Sequence, residues 1–168
     1  KHSADAAPTN ANVWSNYNEY DQEAGFLAGF SANFRAALLD TTHTVGKSST
    51  DGGGTETCVD KIFFASCTEV GLSGDATCGT KLALFSDNNS RLAYPTAECV
   101  SKSEYTNNNF AASKAWYWWL CDAYASSSYN VRRVASSGAL SRAYSGDGGV
   151  RPLCNLSSSI LVSDTTDS

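Results

Sequence analysis

Hydrophobic positions along the chain fall into one helical stripe followed by many short apolar runs. Phe26, Leu27, Phe30, Phe34, Ala37 and Leu38 stand at steps of 1, 3, 4, 3 and 1, the spacing of a helix that buries one side. Gly25 and Gly29 weaken its first turn, and core packing is the ordinary use of such a stripe. Residues 41–56 are rich in Thr, Ser and Gly and read as a surface loop. Val59–Ala65 and Lys81–Phe85 are then strand candidates, separated by polar turns. Residues 101–114 are polar, and Asn107, Asn108 and Asn109 mark a loop. Trp116–Leu120 is the most hydrophobic segment, and its aromatic density predicts a central strand. Residues 130–135, 138–140, 149–154 and 159–162 supply further short strands. The order predicts an α+β fold with one or two helices, short strands and an unusual share of loop.

The composition changes the picture in one respect. Only 17% of the 168 residues are charged, and small neutral polar side chains fill the gap, with 24 Ser and 12 Asn. Such a surface suits recognition better than ion pairing. The net charge of −5 leaves no basic stripe for phosphates, so nucleic acid is not an expected partner. No apolar run is long enough to span a bilayer, so no membrane insertion is expected. Residues 1–13 read as a polar lead-in and 164–168 as a frayed tail.

The motifs of common chemistries are missing or incomplete. Gly46-Lys47-Ser48 matches the end of a phosphate loop, but Thr41 stands where its first glycine belongs. His2 and His43 have no Cys, Asp or Glu at metal-ligand spacing, and no nucleophile elbow supports a triad through His43. Oxygen-rich clusters at Asp87 and Asp147 lack calcium-loop spacing and read as turns. The six cysteines, Cys58, Cys67, Cys78, Cys99, Cys121 and Cys154, form no CxxC pair. They are expected to be mostly free, partly buried thiols. No metal, no cofactor and no catalytic site are expected.

Two stretches are more specific: Trp118-Trp119-Leu120 and Gly149-Val150-Arg151-Pro152. Val131-Arg132, Val134 and Ser137–Leu140 lie between them. Upstream stand Asp60–Phe63, Ser66, Thr68-Glu69-Val70 and Arg91–Thr96. In this order the motifs resemble the DUF6273 domains, a family of unknown function frequent in gut bacteria and their phages, over about residues 55–156. Those domains look like C-type-lectin folds of the formylglycine-generating-enzyme branch. The sequence departs from the pattern after Leu120, with Cys121-Asp122-Ala123 where Arg-Ser-Pro or Arg-Thr-Pro is usual. The resemblance implies a single C-type-lectin-like domain over 14–163, with a variable binding region at 118–152.

Trp118, Trp119, Leu120, Gly149, Arg151 and Pro152 read as scaffold. Successive strand residues face opposite sides, so one Trp can seal the core while its neighbour shapes a surface. Arg151 offers a fork of donors to pin loop carbonyls. Residues 121–149 between these marks are rich in Tyr, Ser, Asn, Asp, Arg and Gly, as antibody-type loops are. They contain no Lys, Glu, Gln, Met or Trp, types that make up 17 residues of the chain. Retroelements that diversify some C-type-lectin-fold proteins turn AAC codons into NNC codons, which encode none of those five.

The expected binding face comprises Asp122, Tyr124, Ser126, Ser127, Ser128, Tyr129, Asn130, Arg133, Ser141, Arg142, Tyr144 and Asp147. The tyrosines act as anchors and the arginines as hot spots. The implied function is recognition of a host-cell surface protein or glycan, from a phage virion or a bacterial cell surface, by a possible homo-oligomer. The alternatives are a structural decoration module without a ligand, and a formylglycine-generating-type oxidase using Cys154.

Overall fold

A computed structural model describes residues 26–103, 109–144 and 146–159. The lead-in, the tail and most of the last strand candidate at 159–162 lie outside these residues. Two short helices, α1 (Ala32–Ala37) and α2 (Ala97–Lys102), accompany seven short strands. The strands are β1 (Thr41–Gly46), β2 (Thr55–Asp60), β3 (Phe63–Phe64), β4 (Trp118–Ala123), β5 (Val131–Val134), β6 (Leu140–Ala143) and β7 (Pro152–Leu153). β1 pairs with β2, β3 with β7, and β4, β5 and β6 form one three-stranded antiparallel sheet in that order. The result is an α+β chain with small sheets, as the hydrophobic pattern predicts. Its described residues divide into two compact units.

The first unit holds residues 26–41, 60–63 and 154–159. The predicted helical stripe is broken here into a 3-10 turn at Phe26–Gly29 and then α1. Ser31 is extended, and its side chain accepts a hydrogen bond from Phe34 N–H (3.3 Å), so the serine starts a new helix instead of continuing the old one. Leu27 and Leu38 are buried, and Leu38 bridges Leu156 antiparallel. Lys61 donates to the Leu38 carbonyl (3.2 Å) and lies 3.4 Å from Asp40.

The second unit holds residues 42–59, 64–144 and 146–153 and contains the larger core. Ala65, Cys67, Val70, Phe85, Trp118, Leu120 and Val134 pack there, with Leu72, Leu82, Ala93, Leu140 and Leu153 around them. Phe85 and Trp118 stack with ring centres 6.0 Å apart. Three sequence expectations change. Residues 41–56, read as a surface loop, supply all of β1 and the start of β2, which pair with each other. Lys81–Phe85 is a turn and not a strand: Leu82 and Phe85, three apart, both reach the core, and Phe85 N–H donates to the Leu82 carbonyl (3.1 Å). The aromatic segment forms β4, but β5 holds the middle of the sheet and β4 one side.

One buried cation organises the loops of this unit. Arg91 is only 6% exposed. Its Nε donates to the Gly138 carbonyl (2.8 Å), its Nη1 to the Val70 carbonyl (3.1 Å) and its Nη2 to Asn88 Oδ1. Its own carbonyl accepts from Trp118 Nε1 (2.9 Å). Gly138 turns the β5–β6 hairpin with φ +79°, and a Cβ there would sit 2.1 Å from the Asn88 carbonyl oxygen. Only glycine satisfies both demands.

Candidate functional site

The predicted binding residues lie on or beside the β4–β5–β6 sheet, and alternation along the strands sorts them to different sides. Trp118, Val134 and Leu140 face the core. Trp119, Arg133 and Ser141, cross-strand neighbours, face the other way. Arg132 and Arg142 are directly paired and share the core side, at the end of the sheet away from the hairpin turn. The sequence grouped Arg133, Ser141 and Arg142 on one face, whereas the sheet separates Arg142 from the other two.

Asp122 is interior, only 2% exposed. It continues the inward row of Trp118 and Leu120 along β4. Its Oδ1 accepts from Gly46 N–H (2.8 Å) and its Oδ2 from Cys67 N–H (2.6 Å). Its carboxylate is therefore a structural tie between three segments and presents nothing to solvent, which corrects its place among surface contacts. Three thiols lie around it. Burial first, and then the Asp122 charge, pushes the thiols of Cys67, Cys78 and Cys121 up, Cys78 to about 11. All six cysteines are free: Cys67 and Cys78 buried, Cys58 and Cys121 half-buried, Cys99 and Cys154 exposed.

On the outer side, Arg133 is held between a carboxylate and an aromatic ring. Its Nη1 donates to Asp147 Oδ1 (2.8 Å), and its guanidinium lies 4.1 Å from the Tyr117 ring centre and 5.7 Å from that of Trp119. The Asp147 carbonyl accepts from Trp116 Nε1 (2.7 Å). A Cβ on Gly148 would meet Trp119 Nε1 at 2.5 Å, so the loop lies against the indole. A cleft of about 330 Å³ opens beside this corner, with Tyr94, Phe110, Trp116 and Tyr117 in its wall. Of the predicted binding residues only Asp147 lines it, together with the scaffold residues Trp118 and Gly149.

At the other corner, two guanidiniums share one ring. Arg132 and Arg142 lie 4.5 and 4.2 Å from the Tyr124 ring centre. Arg132 is also bound to Asp75 through Nε (2.8 Å) and Nη2 (2.5 Å). Arg142 is exposed and has no ion pair among the described residues. Tyr124, Ser127 and Asn130 close the β4–β5 loop on themselves. Tyr124 N–H donates to the Asn130 carbonyl (3.0 Å) and Asn130 Nδ2 to Ser127 Oγ (3.0 Å). Ser126 and Ser128 are exposed beside them. Tyr129 and Tyr144 stand out in solvent, 67% and 77% exposed, edge to face with ring centres 5.8 Å apart.

Among the scaffold residues, Trp118 and Leu120 are buried and Trp119 is half-buried, while Gly149 bridges Trp118. Pro152 opens β7. Arg151 makes no hydrogen bond to a carbonyl among the described residues. Its guanidinium lies over Phe85 (5.1 Å) and Trp118 (5.2 Å), and its buried Nη1 has no hydrogen-bond partner. Loss of water lowers its pKa. The pinning falls to Arg91, which the sequence marked only as the start of the Arg91–Thr96 motif and not as a loop tie.

Among the described residues, no three His, Cys, Asp or Glu side chains converge as metal ligands, and no helix is long and apolar enough to cross a membrane. The geometry defines, in the second unit, a small α+β body whose sheet ends carry aromatic and arginine side chains. The chain belongs to the DUF6273 family, a domain of unknown function, whose family model matches residues 7–158. Comparison with curated proteins and with solved structures gives no match.

Proposed function

We propose that the chain is a ligand-recognition domain, displayed on a phage particle or a bacterial surface, that binds a protein or glycan of a host cell. The observation that carries this reading is the Tyr129–Tyr144 pair. Two large rings held edge to face in solvent cost exposed apolar area and give the described fold no core contact. Rigid exposed tyrosines next to Ser- and Asn-rich turns are the usual material of adaptable binding surfaces. Tyr124 and Arg142 extend the surface, and the Arg133–Asp147 corner lies across the sheet from them. In this reading the fold is of the C-type-lectin type, and residues 121–149 are diversified by a retroelement, with Asp122 and Gly138 held constant.

The test is attachment of the purified domain to host cells. Tyr129→Ala with Tyr144→Ala is expected to lower attachment at least tenfold, as loss of hot-spot aromatics does, while the melting temperature stays within about 2 °C. Unchanged attachment overturns recognition through this pair and favours a structural decoration module. Sibling sequences are expected to vary at 124–130 and 141–147 and to agree at Trp118, Leu120, Asp122 and Gly138.

A further inference from the structure

The β4–β5–β6 sheet ends on β6, and among the described residues nothing pairs with its outer side. The register shows which backbone groups are left open there. Ala135 N–H donates to the Ala139 carbonyl (2.8 Å), so 135 and 139 form a hydrogen-bonded pair. Antiparallel pairs alternate, which makes Arg133↔Ser141 and Val131↔Ala143 bonded pairs and Val134↔Leu140 and Arg132↔Arg142 non-bonded ones. Residues of a non-bonded pair point their N–H and C=O away from the partner strand. Leu140 and Arg142 therefore turn their backbone donors and acceptors to the open edge.

The side chains beside that edge favour one kind of occupant. Arg142 directly faces Arg132 across the strands, an arrangement of like charges that costs stability. Asp75 offsets the charge of Arg132, and among the described residues no acid offsets Arg142. In a chain of net charge −5, Arg142 stands beside the open edge without an acid partner among the described residues. Tyr124 holds its guanidinium in place, and Tyr144 stands exposed immediately after the strand.

We propose that β6 is a docking edge for an extended acidic segment of a partner protein, which adds a strand beside Leu140–Ala143 and seats a carboxylate on Arg142. Main-chain hydrogen bonds to Leu140 and Arg142 hold the segment, and alternate side chains set its choice, with Arg142 reading charge. The inference rests on the recognition reading of the same surface and names the partner's chemistry.

The full chain, isotope-labelled, is titrated with short blocked peptides of alternating Thr and Glu, of alternating Thr and Lys, and of Thr and Glu with N-methylated backbone. Amide exchange and chemical shifts are read at 131–144. The Thr/Glu peptide is expected to protect the Leu140 and Arg142 amides. Arg142→Gln weakens it about fivefold, the worth of one exposed ion pair near 1 kcal/mol. The Lys and N-methylated peptides give no protection. The proposal is overturned by absence of protection with the Thr/Glu peptide, or by protection that ignores charge. It is also overturned by shifts confined to the Arg142 side chain, which mark a plain ionic contact. Dimerisation of Arg142→Thr through β6, with no peptide protection in the parent chain, overturns it too and makes Arg142 a guard against self-pairing. Cell attachment lost in the tyrosine variants without protection at β6 refutes this edge alone; protection at β6 with attachment unchanged refutes the tyrosine-pair reading alone.

Discussion

Asp122 offers the sharpest test of how the second unit is held. Its two oxygens accept from Gly46 N–H and Cys67 N–H, and the side chain is buried. Asp122→Ala removes both acceptors and strands two amides away from water. Hydrogen bonds to a charged acceptor contribute about 1.5–3 kcal/mol each, and a buried unsatisfied donor adds its own desolvation cost. The two bonds together set an expected loss of about 3–5 kcal/mol. At about 2–4 °C per kcal/mol for a chain of this size, the melting temperature falls by about 6–20 °C. Asp122→Asn keeps one acceptor oxygen but turns an NH2 group toward the other amide, so about half of that loss remains. Urea denaturation followed by tryptophan fluorescence measures both, since Trp118 lies in the core. A loss below about 1 kcal/mol for Asp122→Ala refutes the tie, because relaxation or water would then be serving the two amides.

Other outcomes follow from the same geometry. The raised thiols make stability pH-dependent: the folded chain keeps its protons where the unfolded chain, with cysteines near 9, loses them. For Cys78, stability is full below about pH 9 and declines as pH rises toward about 11. Cys78→Ala is expected to flatten that part of the urea-midpoint profile, and an unchanged slope contradicts it. Alkylation under native conditions is expected to label Cys99 and Cys154 within the time that Cys67, Cys78 and Cys121 stay unmodified, as read by peptide mass spectrometry. Arg91→Met strips donors from two buried carbonyls and from Asn88, and is expected to cost about 3 kcal/mol; urea titration checks it, and a loss under 1 kcal/mol counts against its role. Gly138→Ala brings a Cβ within 2.1 Å of the Asn88 oxygen at φ +79° and is expected to cost more than about 2 kcal/mol.

Where the sequence was readable, the reason is local. Trp118 and Leu120 declare β4 by alternation, and the Val131–Val134 run and Gly138 declare the hairpin. The same alternation, carried two residues further, places Asp122 inside, and its charge drew it wrongly to the surface list. The stripe from Phe26 to Leu38 has helical spacing throughout, but Ser31 competes for the backbone and starts a second helix. Lys81–Phe85 mimics a strand because Leu82 and Phe85 reach the core from a turn. Arg91 stands in a motif, but its tying role is not local, since two of its three partners lie 21 and 47 residues away. The split of Arg133 from Arg142 depends on strand register, which the turn type and loop length of the hairpin set.

Beside the side-chain ties of Asp122, Arg132 and Arg133, several ties that hold the loops around the sheet engage only backbone atoms of the 121–149 stretch. Arg91 grips the Gly138 carbonyl, Ser49 N–H and Oγ both reach the Ala125 carbonyl (2.8 and 2.6 Å), and Trp119 N–H donates to the Gly149 carbonyl (3.0 Å). A carbonyl is the same whatever side chain stands beside it. Substitutions at Ser126, Ser128, Tyr129 or Tyr144 therefore leave these fastenings in place. If the stretch is diversified as proposed, its exposed side chains can be exchanged while the backbone ties persist.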